Sequence, residues 1–246
     1  MLPSAPGLHK VRTGLSLPAG PTLLVSTSVH GDDYEDVHTV LETSVALDPT
    51  ALCGSLFAVP IVSRTHPING GNLDRAFPGR PDGSPSERFA WVLADFYLDL
   101  HSGAVRFAMP SMVGAPIIWS HPVIEPGLTI SVARARGVPF LYTEARAAGR
   151  IHPDDLLMMR RGILNLLRHL NMLAGPPEIP APSLRLQGIG NTDEGIVATS
   201  DGFWMPSVNL LATPQAPADG VVALRRELPP VSVGDTLILL AAEEKI

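Results

Sequence analysis

The feature that most constrains this chain is an apolar stretch that ends abruptly in polar residues and leads straight into a helical pattern. Residues 22–29, TLLVSTSV, are apolar and β-branched, which predicts a largely buried strand. The sequence HGDD follows at 30–33, and apolar residues then recur at helical spacing over residues 36–47. The stretch therefore predicts a strand, a polar turn and a helix in direct succession.

The same alternation continues along the chain. Strands are predicted at 55–62, 96–100 and 137–145, and helices at 84–94 and 152–173. Strands that alternate with helices are typical of an α/β sheet layered with helices.

A change of pattern after residue 175 predicts a second domain. Residues 176–183, PPEIPAPS, have the composition of a linker, and beyond them short strand candidates are separated by Gly and Pro turns. We therefore predict a catalytic α/β domain over residues 1–175 and a small, shortened β domain over residues 176–246.

Composition excludes several classes of protein. The 246 residues carry a formal net charge of -6, which disfavours a nucleic-acid binder, and the single cysteine, Cys53, allows no intramolecular disulfide. The chain contains no run of 18 apolar residues, and its first residues lack the apolar core of a signal peptide. We expect a cytoplasmic protein with no membrane or nucleic-acid partner; whether it forms a homo-oligomer stays open.

Polar residues stand at the ends of three predicted strands: His30 with Asp33, then His101, then Glu144. In open α/β sheets, ligands bind beyond the carboxyl ends of the strands. Two imidazoles and a carboxylate suit zinc and leave a fourth position for water, whose proton Glu144 could accept. Asp99, two residues before His101 on the same side of a strand, could orient the imidazole.

The loop at residues 70–79, GGNLDRAFPG, is the next candidate, because its pattern is more specific than that of a generic turn. The guanidinium of Arg75 can hold a substrate carboxylate through two parallel hydrogen bonds, and Asn72, three residues earlier, belongs to the same pattern. The alternative for Arg75 is an exposed surface arginine. Any one of the histidines, taken alone, is more often a surface or hydrogen-bonded residue, and Glu144 alone is more often an exposed carboxylate.

Five segments, in order and together, carry a resemblance to a known family. They are VHGDDYED, NLDRAFPG, SPSERFA, DLHSG, and TEARAAGR with the helix that follows, and they span most of residues 20–174. The chain resembles the succinylglutamate desuccinylase/aspartoacylase family of zinc carboxypeptidase-like enzymes, nearest to N-acetyl-diaminobutyrate deacetylase-like members. The resemblance implies a three-layer mixed sheet with helices on both faces and a small C-terminal β domain.

The resemblance also implies a role for each matching position, and one Zn²⁺ per chain. The substrate would be a small N-acyl amino acid, hydrolysed at its amide bond by metal-activated water. The implied roles are metal binding for His30, Asp33 and His101, activation of water for Glu144, polarisation of the scissile carbonyl for Arg64, and substrate binding for Arg75, Asn72 and Asp74.

Three departures from the family pattern leave alternatives open. Asp33 replaces a glutamate, Asp74 replaces an asparagine, and side chains at 145–148 replace a glycine-rich run. The same site could serve a carboxypeptidase-type peptidase. A degenerate, non-catalytic relative that acts as a binding module is the further alternative.

Overall fold

The computed structural model describes most of the chain. The described residues are 9–11, 20–62, 95–103, 107–108, 117–124, 126, 128–178, 180–182, 184–188, 195–212 and 220–244. Within them lie three α-helices and two main sheets. The helices are α1 (Tyr34–Ala46), α2 (Thr129–Ala135) and α3 (Pro153–His169).

The strands of the described residues fall into a first and a second sheet and one short pair. The first sheet contains β1 (His9–Val11), β2 (Thr22–Ser26), β3 (Ser55–Val59), β4 (Phe96–Ser102) and β7 (Phe140–Ala145). The second contains β5 (Phe107–Ala108), β6 (Ile117–Ser120), β8 (Leu184–Gln187), β9 (Ile196–Val197), β11 (Val221–Arg226) and β13 (Thr236–Glu244). The pair consists of β10 (Gly202–Phe203) and β12 (Pro230–Val231).

The first sheet is almost entirely parallel. Its strand order is β1-β3-β2-β4-β7, and only β1 runs antiparallel to its neighbour. Strands β2, β4 and β7 therefore end at the same edge, because parallel neighbours share one direction. This edge carries the candidate site.

Alternate residues of the central strands pack into two separate hydrophobic clusters. Leu98 and Leu100 of β4 belong to a cluster that also contains residues of α1 and α3. Tyr97 of the same strand belongs to a cluster with Ile130 and Ala133 of α2. The period of two along a strand explains the division, since neighbouring side chains point to opposite faces.

The second sheet is mixed and draws on chain from both sides of the predicted linker. Its order is β5-β11-β13-β8-β6, with β9 beside β13, and β6 and β8 are parallel. Strands β5 and β6 precede residue 176, so the sheet is not built from residues 176–246 alone. The division into domains at 175/176 stays a prediction, and the mixed α/β class is confirmed.

The predicted elements agree with the structure apart from their ends. The strands predicted at 22–29 and 55–62 stop earlier, at Ser26 and Val59, while β4 continues past residue 100 to Ser102. Before residue 176, helix α2 and strands β1, β5 and β6 were not predicted, and the helix predicted at 84–94 lies outside the described residues. In the part of the chain that the structure describes, no helix has the length and apolarity needed to cross a bilayer.

Candidate metal centre

The site forms where β4 and β7 lie side by side and the loop after β2 comes over them. In the parallel pairing of β4 with β7, His101 stands directly opposite Glu144, and Asp99 stands opposite Tyr142. All four positions share the sheet face that carries Tyr97 and packs towards α2, because they are two residues apart on their strands. The sheet thus fixes His101 and Glu144 as neighbours.

The loop after β2 and the start of α1 supply two further side chains. Potential ligand atoms of His30, Asp33 and His101 lie within 4.8 Å of one another. The centroids of the two imidazole rings are 5.1 Å apart. Asp33 and His101 are fully buried, whereas the His30 side chain is 24% exposed, so solvent reaches the group from the His30 side.

Asp33 uses one carboxylate oxygen to hold the loop that carries His30. Its Oδ2 accepts a hydrogen bond from the His30 backbone N–H at 3.2 Å. Its Oδ1 is buried and has no hydrogen-bond partner among the described residues. A buried carboxylate oxygen without a partner is costly in a metal-free protein, and a cation would satisfy it. The donor set of two imidazoles and one carboxylate therefore fits a zinc ion.

A buried polar network lies against the Nε2 atom of His101. The Asp99 Oδ2 atom is 3.2 Å from His101 Nε2. Asp99 is held in turn by two hydroxyl donors, Ser26 Oγ at 2.7 Å and Thr129 Oγ1. Because metal-binding imidazoles commonly contact a carboxylate through their second nitrogen, this network can fix the orientation of the ring.

Glu144 is the buried carboxylate beside the three potential ligands. Burial raises its pKa from 4.5 to about 7, and the nearby His101 and the Tyr142 hydroxyl partly oppose the effect. Tyr142 donates its hydroxyl hydrogen to Oε1, whereas Oε2 is buried and makes no hydrogen bond within the described part of the chain. A carboxylate that titrates near neutral pH is suited to general acid–base chemistry.

Two more carboxylates in the first turn of α1 support the site and were missed by sequence reasoning. Asp36 accepts a hydrogen bond from the Ser28 N–H at 3.1 Å, and burial, reinforced by Asp33, raises its pKa well above the ordinary range. Glu35 accepts from the N–H groups of Ala147 at 2.9 Å and His152 at 3.0 Å. Glu35 thereby ties the loop after Glu144 to the first turn of α1, which directly follows Asp33.

The loop after Glu144 has a second attachment, to α3. Asp155, fully buried at the start of that helix, accepts from the backbone N–H of Arg146 at 3.0 Å and pairs with its guanidinium at 3.0 Å. Ala147 and Ala148 adopt left-handed conformations, with φ of 57° and 58°. The loop keeps the backbone geometry that glycine adopts readily although it carries side chains here.

The structure places only part of the predicted site. It brings together His30, Asp33, His101 and Glu144, with Asp99 behind His101. The other predicted residues, which all belong to the segment between β3 and β4, lie outside the described residues: Arg64, Asn72, Asp74 and Arg75.

Comparison with known proteins yields one curated relative and several solved structures, while no family model matches. The relative is N-alpha-acetyl-L-2,4-diaminobutyric acid deacetylase of Halomonas elongata, with 28% identity over 90% of this chain and 82% of that protein. The predicted resemblance to N-acetyl-diaminobutyrate deacetylase-like proteins is thereby confirmed.

Solved structures show the same fold. A succinylglutamate desuccinylase from Silicibacter sp. matches with a TM-score of 0.78 and 23% identity, covering 92% of this chain and 86% of that one. The product-bound ectoine utilization protein EutE (DoeB) from Ruegeria pomeroyi matches with a TM-score of 0.79 and 24% identity, covering 91% and 86%.

Proposed function

We propose that this protein is a zinc-dependent amidohydrolase that removes the acyl group from a small N-acyl amino acid. The observation that carries the proposal is the convergence of His30, Asp33 and His101 beside the buried carboxylate of Glu144. The Halomonas relative, a deacetylase by name, supports the same class of reaction.

His30, Asp33 and His101 would hold one Zn²⁺ per chain. The Oδ1 atom of Asp33, buried and unpaired among the described residues, is the oxygen we assign to the ion. His101 would use Nδ1, because its Nε2 faces Asp99. When bound, zinc supplies a water of lowered pKa and polarises the scissile carbonyl.

Glu144 would move the proton in this reaction. Its carboxylate takes a proton from the attacking water, whose oxygen bonds to the acyl carbon, and later delivers that proton to the leaving nitrogen as the C–N bond breaks. The products are a carboxylate and a free amino acid.

The substrate-binding residues are proposed from the family resemblance. Arg75 would grip the substrate carboxylate, with Asn72 and Asp74 beside it, and Arg64 would stabilise the developing oxyanion. The three-layer arrangement, the shortened β domain over residues 176–246 and a cytoplasmic location belong to the same proposal.

The test is the zinc content of the purified protein, together with a screen of N-acyl amino acids. We expect about one zinc per chain in the wild type, lost in His101→Ala because one of three ligands is removed. Glu144→Ala should keep the zinc and lose hydrolysis. Zinc-free wild-type protein after reconstitution, or full activity in Glu144→Ala, would contradict the proposal. Including dipeptides in the screen separates deacylation from carboxypeptidase activity.

A further inference from the structure

Tyr142 is an aromatic residue in direct contact with the proposed base. It lies on β7 two residues before Glu144, so both side chains stand on the same face of the sheet. Across the ladder, Tyr142 is opposite Asp99 and Glu144 is opposite His101. Tyr142 is therefore one of four neighbouring side chains on this face of the sheet, together with Glu144, Asp99 and His101.

The side chain of Tyr142 contacts two of these residues. Its hydroxyl group donates a hydrogen bond to Glu144 Oε1. Its ring packs on the imidazole of His101, with centroids 4.7 Å apart and planes inclined by 36°. One residue thus contacts both the base and a potential metal ligand.

The hydroxyl contact makes the two oxygens of Glu144 inequivalent. Oε1 is occupied by the Tyr142 hydroxyl, while Oε2 is buried without a hydrogen-bond partner in the described ranges. The last torsion of a glutamate side chain is broad, so packing alone leaves the orientation of the carboxylate plane loosely defined. A directional donor on one oxygen removes that freedom.

We propose that Tyr142 is a positioning residue that holds Glu144 by Oε1 and presents Oε2 to the reacting water. The inference rests on the proposed function and adds to it a residue outside the metal ligands and the substrate-binding loop. No additional proton is transferred, since the tyrosine keeps its hydroxyl hydrogen throughout the reaction.

The first test compares two variants that each remove one hydroxyl group from β7. Tyr142→Phe keeps the ring and loses the donor, and Thr143→Val, at a buried residue of the same strand on the opposite face, serves as the matched control. We expect Tyr142→Phe to lower kcat about 10- to 100-fold, the range for loss of a hydrogen bond to a charged group. KM should change by less than about twofold, and zinc content should be unchanged, because the proposed function assigns Tyr142 neither to the substrate nor to the metal.

A second measurement does not depend on catalytic activity. In zinc-loaded wild-type protein, the proton NMR spectrum should contain a slowly exchanging hydroxyl resonance that disappears in Tyr142→Phe and moves in Glu144→Gln. The resonance should persist in Thr143→Val.

The outcomes separate this inference from the proposed function. The role of Tyr142 would be overturned by any of three results. These are a wild-type kcat in Tyr142→Phe, an equal loss of kcat in Thr143→Val, or a hydroxyl resonance whose chemical shift does not change in Glu144→Gln. A wild type that hydrolyses no N-acyl amino acid would instead overturn the proposed function, and the resonance would still decide whether the contact exists.

Discussion

Replacement of Glu144 by glutamine should stabilise the metal-free protein, and only above mildly acidic pH. The folded state binds the Glu144 proton more tightly than the unfolded chain does, because burial raises the pKa from 4.5 to about 7. Between these two values the unfolded chain ionises while the folded protein stays protonated. Wild-type stability therefore falls over this interval, and the loss is complete above pH 7.

The size of the effect follows from the two pKa values. A tenfold change in proton affinity is worth about 1.4 kcal/mol, so the difference between 4.5 and about 7 corresponds to about 3 kcal/mol. Glutamine carries no titrating proton and keeps an oxygen that can accept from Tyr142. The unfolding free energy of Glu144→Gln minus that of the wild type should therefore rise by about 3 kcal/mol between pH 4.5 and 8.

Urea unfolding of chelator-treated protein, followed by circular dichroism at several pH values, measures this difference. Other buried carboxylates, such as Asp36, are present in both proteins and largely cancel. Glu243→Gln, which removes an exposed carboxylate from β13, controls for the loss of one negative charge. A difference between Glu144→Gln and wild type that is flat across the pH range would refute the view that burial sets the proton affinity of Glu144.

Two further substitutions test the support of the site. Glu35→Ala should lower the unfolding free energy by about 2–4 kcal/mol, because it leaves the N–H donors of Ala147 and His152 without their acceptor. Chemical denaturation measures the loss, and Glu35→Gln should recover part of the lost stability. Gly54→Ala should lower the unfolding free energy by more than Glu35→Ala does, because Gly54 has a φ of 100° and an added Cβ would lie 2.2 Å from the Pro21 carbonyl oxygen. An unchanged melting temperature of Gly54→Ala would contradict this geometry.

The placement of His101 and Glu144 at one edge of the sheet could be predicted because it depends only on strand direction, whereas their direct pairing depends on the strand order. Both residues stand near the carboxyl ends of predicted strands, and parallel strands bring such ends together. The end of β4 could not be predicted, since Ser102 stays in the strand through its pairing with Ala145 of β7, a non-local contact. Helix α2 was missed because seven residues carry too little periodic signal.

Side-chain contacts within the site were beyond sequence reasoning for a different reason. Tyr142 and Glu35 become partners of Glu144 and of the following loop only through the tertiary fold. In the sequence, Glu35 is one acidic residue among several at a helix start, where such residues are common because they favour the helix dipole. Its burial, which marks its role, depends on the packing of α1 beside α3.

Strand β4 contributes side chains both to the hydrophobic core and to the candidate site. Its even-numbered leucines pack with α1 and α3, while Tyr97, Asp99 and His101 alternate with them on the other face. A shift of the β4 register by one residue would exchange the two sets, exposing Leu100 to the site and burying His101 among apolar side chains. Any pressure that keeps the core well packed therefore also keeps the register of the face that carries the candidate site, and we expect an insertion or deletion of a single residue within β4 to disrupt both together.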